Sequence, residues 1–191
     1  MTGVQTCALP ISTDSLYKVE DWQHSIAEGM IYKYIKDYKI YQCPIGNRGE
    51  LVTYTQVHSL NTWPGSGGSA GQPPPTITLR SQIIRTAERV IFIDEGAAGA
   101  GAFFVSFAAN PLQWGDWPPM RHGKGTTFSY VDGHAEHRKW TDKHTLDCTP
   151  DRYAWGSQPG DNCDCDLRWM VKVTWGKVIP DCTDASKTCE Y

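Results

Sequence analysis

No block of lysine or arginine occurs in this chain, and its formal net charge is −3. A nucleic acid is therefore not the expected partner. No run of about 18 apolar residues is present, so no stretch reads as a membrane-crossing helix. Leucine is scarce, which argues against a helical bundle. No repeat appears at solenoid periods. No serine sits on the strand-to-helix Gly-x-Ser-x-Gly elbow of a hydrolase, and there is no Walker loop or dinucleotide fingerprint. Cys43 lies in no motif that marks a nucleophile. Together these absences point away from an enzyme.

What remains is rich in aromatics, with 8 tryptophans and 9 tyrosines among 191 residues. That length fits one domain, able to bury roughly 70% of its unfolded surface. The composition suits a sheet-rich, loop-rich extracytoplasmic domain. The chain has 7 cysteines. With Cys7 set aside, Cys43, Cys148, Cys163, Cys165, Cys182 and Cys189 form an even set, mostly in a Gly/Asp/Pro-rich tail at 141–191. Such a set reads as disulfides in an oxidising compartment, with the pairing left open and free thiols as the alternative. A zinc knot is disfavoured because one residue between Cys163 and Cys165 is too few.

The strongest local signal spans 121–140, RHGKGTTFSYVDGHAEHRKW. Residues 126–131 are mostly aromatic and β-branched, as strands prefer. Asp132-Gly133 predicts a type I′ turn, and 134–140 returns as the partner strand. A two-residue loop sets Val131 opposite His134, Tyr130 opposite Ala135 and Phe128 opposite His137. Phe128, Tyr130, Ala135 and His137 then share the core face, and Thr127, Ser129, Glu136 and Arg138 the wetter one. The hairpin belongs in the middle of the domain.

Residues 12–39 read as helical, capped by Ser12 or Thr13 and broken near Gly29. Trp22, Ile26 and Met30 form one apolar stripe, and Ile31, Tyr34, Ile35 and Tyr38 a second. Cys43-Pro44 closes this region, since the residue before proline leaves helical space. Strands are expected at 51–60, 90–93 and 103–107. A Gly/Ser/Pro-rich surface loop is expected at 61–75, a strand or short turn at 79–85, and a Thr86-capped turn through Arg89. Residues around Trp114 and Trp117 read as loop, as do 141–160. Residues 167–178 read as a short strand or turn carrying Trp169 and Trp175.

Two ion sites are conceivable from residue type. Asp94, Glu95, His122, Asp132 and His134 supply imidazoles and carboxylates that suit zinc. The simpler account makes Asp132 a turn residue and His122 a hydrogen-bond donor to a carbonyl or carboxylate, and it is preferred. Asp161, Asp164 and Asp166 offer hard oxygens for calcium, without the glycine and terminal glutamate of an EF-hand. A solvated acidic loop is the alternative. No cofactor is expected.

His122, nine residues, then Asp132-Gly133 resembles the signature of the prepilin-type, processing-associated H-X9-DG family of pilin-like bacterial proteins. Gly29 to Ile35 followed by Tyr41-Gln42-Cys43-Pro44 is similar to that family's "G-L-x-x-Y-L … Y-x-C-P" segment. Residues 79–95 resemble the stretch between its core strands, and Asp166-Leu167-Arg168-Trp169 its closing motif. The likeness runs from about Ser12 to Trp169. It implies an α+β pilin-like head, an antiparallel sheet around a central Asp-Gly hairpin, with an N-terminal helix, largely missing upstream, packed on it. It also implies a leader and a long apolar helix upstream, which would place the protein in the inner membrane and against other pilin-like subunits. Residues 1–11, MTGVQTCALPI, resemble the translated read-through of a sequencing adapter and are set apart from 12–191; a secretory signal is the rival. The expected role is structural, in a cell-envelope filament or a type II secretion-like system. The alternative is a membrane-anchored binding module gripping polysaccharide or protein with exposed Trp63, Trp114, Trp117 and Trp155.

Overall fold

A computed structural model describes residues 19–29, 31–46, 52–60, 77–95, 102–106, 112–149, 160–176, 182 and 189. The expectations for Ser12, Thr13, Met30, Trp63, Trp155 and the loop at 61–75 lie outside them. Within them the fold is mixed α and β, with a four-stranded antiparallel sheet and few helices. The strands β1 (Tyr54–Gln56), β2 (Val90–Asp94), β5 (Gly125–Tyr130) and β6 (Ala135–Lys139) lie in the order β1-β2-β5-β6. A separate pair, β3 (Val105–Ser106) and β4 (Gln113–Trp114), sits in the stretch that includes the expected Trp114 loop.

The register of β5 on β6 corrects the expected turn. Ser129 faces Ala135, Phe128 faces Glu136 and Thr127 faces His137. Tyr130 N–H donates to the His134 carbonyl and Gly133 N–H to the Tyr130 carbonyl. The loop is therefore Val131-Asp132-Gly133, a tight turn closed by Gly133 at φ +98°. Only Gly133 takes positive φ; Asp132 does not, so the turn is not type I′. The extra residue makes this the three-residue loop with a glycine bulge. A slip of one residue turns every β6 side chain to the other face. Glu136 and Arg138 now share the side of Phe128 and Tyr130, while Ala135 and His137 are exposed. Glu136 accepts from the Tyr130 hydroxyl, and the Arg138 guanidinium lies 4.1 Å from the Trp169 ring centre. Among the described residues β6 is the outer strand, so the reversal lies at the edge of the sheet there rather than at its centre.

The sheet is covered by α4 (Cys165–Trp175), a helix where a short strand or turn was expected. Asp164 caps its start by accepting from Leu167 N–H, and Gly176 ends it at φ +69°. Between them nearly every residue is buried. A helix buried all round shows no apolar stripe, which hid it in the sequence. Leu167, Met170, Val171 and Val173 join Val57, Val90, Ile93, Phe103 and Val105 in one core. Trp140 stands at its centre, edge-on to Trp114, Phe128 and Trp169 with ring centres 5.6, 6.0 and 6.4 Å away. Such pairs add about 0.5–1.5 kcal/mol each beyond area burial. The indole N–H groups of Trp140 and Trp175 donate to the carbonyls of Pro119 and Val105. A further helix, α3 (Lys143–Asp147), occupies part of the expected loop at 141–160.

The N-terminal helices are α1 (Val19–Ala27) and α2 (Tyr32–Ile35), with the break at Gly29 between them. Among the described residues Ile26 packs with Val52, Tyr32, Tyr38 and Tyr41 in a small cluster apart from the main core. Ile31, Tyr34 and Ile35 of the second apolar stripe are exposed. Residues Arg80–Gln82 and Thr86–Glu88 are single 3-10 turns; Thr86 is the first residue of the second rather than its cap, and Arg85 before it makes no side-chain capping bond. No helix among the described residues is long and apolar enough to cross a membrane.

Candidate functional site

Three chain segments meet at the end of β2. Asp94 is the last residue of that strand and is fully buried. Its backbone carbonyl accepts from the Thr126 hydroxyl at 2.6 Å, which ties it to β5. His122 lies in the turn just before β5, half-buried, with Nε2 2.6 Å from Asp94 Oδ2. Cys43 is buried and held by its N–H, which donates to Thr53 Oγ1 at 2.6 Å. Its Sγ is 3.5 Å from the same Nε2 of His122. Asp94 Oδ1 makes no hydrogen bond and lies 3.9 Å from Arg121 Nη1.

Burial pushes the Cys43 thiol above its ordinary pKa, and the hydrogen bond with Asp94 adds to the effect. Burial likewise raises Tyr54, with the Cys43 and Asp94 charges contributing. Burial that raises a thiol's pKa lowers its thiolate fraction and with it its reactivity. The hydrogen-bond pattern also departs from a Cys-His-Asp relay, where the base uses one ring nitrogen for the thiol and the other for the carboxylate. Here one nitrogen faces both. The ligand atoms of Cys43, Asp94 and His122 all lie within 4.8 Å of one another.

The expected zinc set therefore divides. Asp94 and His122 meet, but Asp132 and His134 pair with each other at 2.6 Å on the exposed turn. Thr126 to Tyr130 is extended strand, roughly 13 Å, and the turn carrying Asp132 lies beyond its far end. Asp132 takes both the side chain and the backbone N–H of His134, and these bonds hold its carboxyl below the usual range. That is the turn role preferred for it above. His122 bonds a carboxylate, as also anticipated. Glu95 is buried but turns to the Thr55 hydroxyl at 2.7 Å. Cys43 was anticipated as a disulfide partner and instead joins the cluster; its place in a Cys-Pro dipeptide signalled only the end of a helix.

The calcium trio does not converge. Asp161 accepts from Cys163 N–H, and Asp166 from the N–H groups of Thr141 and Asp142. Asp164 is buried and takes Leu167 N–H, the Thr145 hydroxyl and His144 Nδ1. Each carboxylate serves a different protein donor. Disulfides join Cys163 to Cys182 and Cys165 to Cys189, while Cys43 and Cys148 are free and buried, so these two leave the expected set. Trp114 is buried in the core and Trp117 is half-buried against it, so Trp114 is not an exposed gripping residue.

No family model, curated protein or solved structure matches the chain. The resemblance to pilin-like proteins therefore stands on its own residues.

Proposed function

We propose that this chain is the globular head of a pilin-like or pseudopilin-like subunit, with a structural role in a bacterial cell-envelope filament or type II secretion-like system. The observation that carries this is the meeting of residues from separate pieces of the resemblance. Cys43 of the Tyr-x-Cys-Pro segment, Asp94 of the inter-strand segment and His122 of the signature are in contact. The nine residues between His122 and Asp132 are the length of one strand plus its turn. In this reading the signature fixes both ends of β5: His122 locks its entry to β2, and Asp132-Gly133 reverses it into β6. Two disulfides in the tail favour an oxidising, extracytoplasmic location. Partner subunits and the inner membrane would be engaged through an apolar helix upstream of the head.

The test is the full-length gene. The expected result is a short basic leader, a small residue at the cleavage point, and a glutamate a few positions into an apolar helix. A plain signal peptide leading directly into the globular domain would overturn the proposal and favour an anchored binding module.

A further inference from the structure

We propose that Cys43, Asp94 and His122 form a binding site for a single borderline d-block cation, zinc foremost, with a fourth position left for water or another ligand. This goes beyond the structural role and does not depend on it.

The donor types select the ion. Thiolate with imidazole suits zinc and its neighbours, not calcium or magnesium. The spacing is close to what such an ion needs. Tetrahedral zinc, with bonds of about 2.3 Å to sulfur and 2.0–2.1 Å to nitrogen, sets those two atoms about 3.6 Å apart. Cys43 Sγ and His122 Nε2 are already 3.5 Å apart. The same bond lengths put nitrogen and carboxylate oxygen about 3.3 Å apart. His122 Nε2 and Asp94 Oδ2 are at 2.6 Å, a hydrogen bond, and must open by about 0.7 Å. A turn residue such as His122 can supply that movement more easily than Asp94, which is fixed in β2.

A second observation points the same way. Asp94 is completely buried, yet its Oδ1 has no hydrogen-bond donor. An unsatisfied buried carboxylate oxygen is costly; the Arg121 guanidinium at 3.9 Å offsets part of that cost without a hydrogen bond, and a metal ion on the same carboxylate would offset more. A divalent ion with one thiolate and one carboxylate is neutral in itself, with the Arg121 guanidinium beside Asp94 as a further positive charge, and the Cys43 proton leaves to solvent as the Zn–S bond forms. His122 needs only its neutral form with the proton on Nδ1.

Cobalt(II) titration of the purified full chain tests the proposal. One equivalent should bind with a thiolate-to-cobalt charge-transfer band, and zinc should bleach it. Cys43→Ser should abolish the band, and His122→Asn should weaken uptake more than about tenfold. Cys7→Ser, Cys148→Ser and Asp132→Asn should leave it intact. A band that survives in Cys43→Ser overturns the proposal, as does the absence of any band in the unmutated protein. X-ray absorption on the unmutated zinc-loaded chain removes dependence on variant folding. One sulfur at about 2.3 Å is expected, and an all nitrogen/oxygen shell refutes the site.

Discussion

The Arg89 guanidinium donates through Nη2 to the carbonyl of Thr174 at 2.7 Å, across 85 residues of sequence. It sits at the carboxyl end of α4, where a cation complements the helix dipole. Gly176 makes room for it: a Cβ there would come within 2.2 Å of Arg89 Nη1. Gly176→Ala should therefore cost more than about 1 kcal/mol, from positive φ and from the clash. Arg89→Met should cost about 1–3 kcal/mol by stranding the carbonyl. Urea midpoints of the two single variants and the double variant give the coupling. The double variant should lose less than the sum, and strict additivity would contradict the contact.

Asp164 and Asp166 are expected to respond oppositely to pH. Burial pushes the Asp164 carboxyl up, but bonds from His144, Thr145 and Leu167 N–H outweigh it and leave its pKa lowered. A lowered folded pKa stabilises above the unfolded value of about 3.9 and is lost as pH falls through the folded one. Asp164→Asn should thus lower Tm near neutrality, with the deficit closing below about pH 4. Burial raises Asp166 despite its bonds to Asp142 and Thr141. Its contribution is present at low pH and fades as pH rises, so Asp166→Asn should become better tolerated as pH rises. Tm profiles that run in parallel for both variants would contradict these assignments.

Gly133 should be sensitive for backbone reasons alone. Its φ is +98°, and an added Cβ would meet nothing within 4 Å. Gly133→Ala should destabilise by about 1 kcal/mol, and Gly133→Asn by less, because asparagine tolerates positive φ better. Equal chemical-denaturation midpoints for glycine and alanine would rule out the bulged turn.

Trp114 distinguishes a core role from ligand gripping. It is 1% exposed, and its indole donates to Thr145 Oγ1 at 3.2 Å. Trp114→Ala should cost about 3–5 kcal/mol and collapse the near-ultraviolet circular dichroism. A stable, natively packed variant would show that the ring is not part of the core.

The two tail disulfides span 19 and 24 residues. Loops of that size contribute about 3 kcal/mol each in the chain-entropy account. Peptide mapping without reductant should recover Cys163–Cys182 and Cys165–Cys189, with Cys43 and Cys148 alkylated only after unfolding. Recovery of Cys43 or Cys148 in a bridge would refute the pairing.

Where a local residue pattern governed the outcome, the sequence was readable. Val90 to Asp94 is a strand because its apolar run is bounded by turn residues, and Gly29 does break the N-terminal helix. The β6 face differs from the sequence expectation because Asp-Gly serves both two- and three-residue loops, and one residue reverses the strand. α4 carries a strand-like local signal because Val171, Val173 and Thr174 favour strands, and burial on nearly all sides removes its periodicity. Its cap signals, Asp164 at the start and Gly176 at the end, were present and would have found it. Within the candidate site, Asp94 and His122 were identified by residue type. Cys43 was not, because its place there depends on long-range pairing between segments 79 residues apart.

Among the described residues β6 is the sheet's outer rail, and its sequence is Ala-Glu-His-Arg-Lys. Charged side chains along a border strand hinder a second copy from zipping on through main-chain bonds. Sheet-to-sheet growth of the kind that makes amyloid is therefore discouraged on this flank. Any ordered polymer of this protein would have to recruit its neighbours elsewhere.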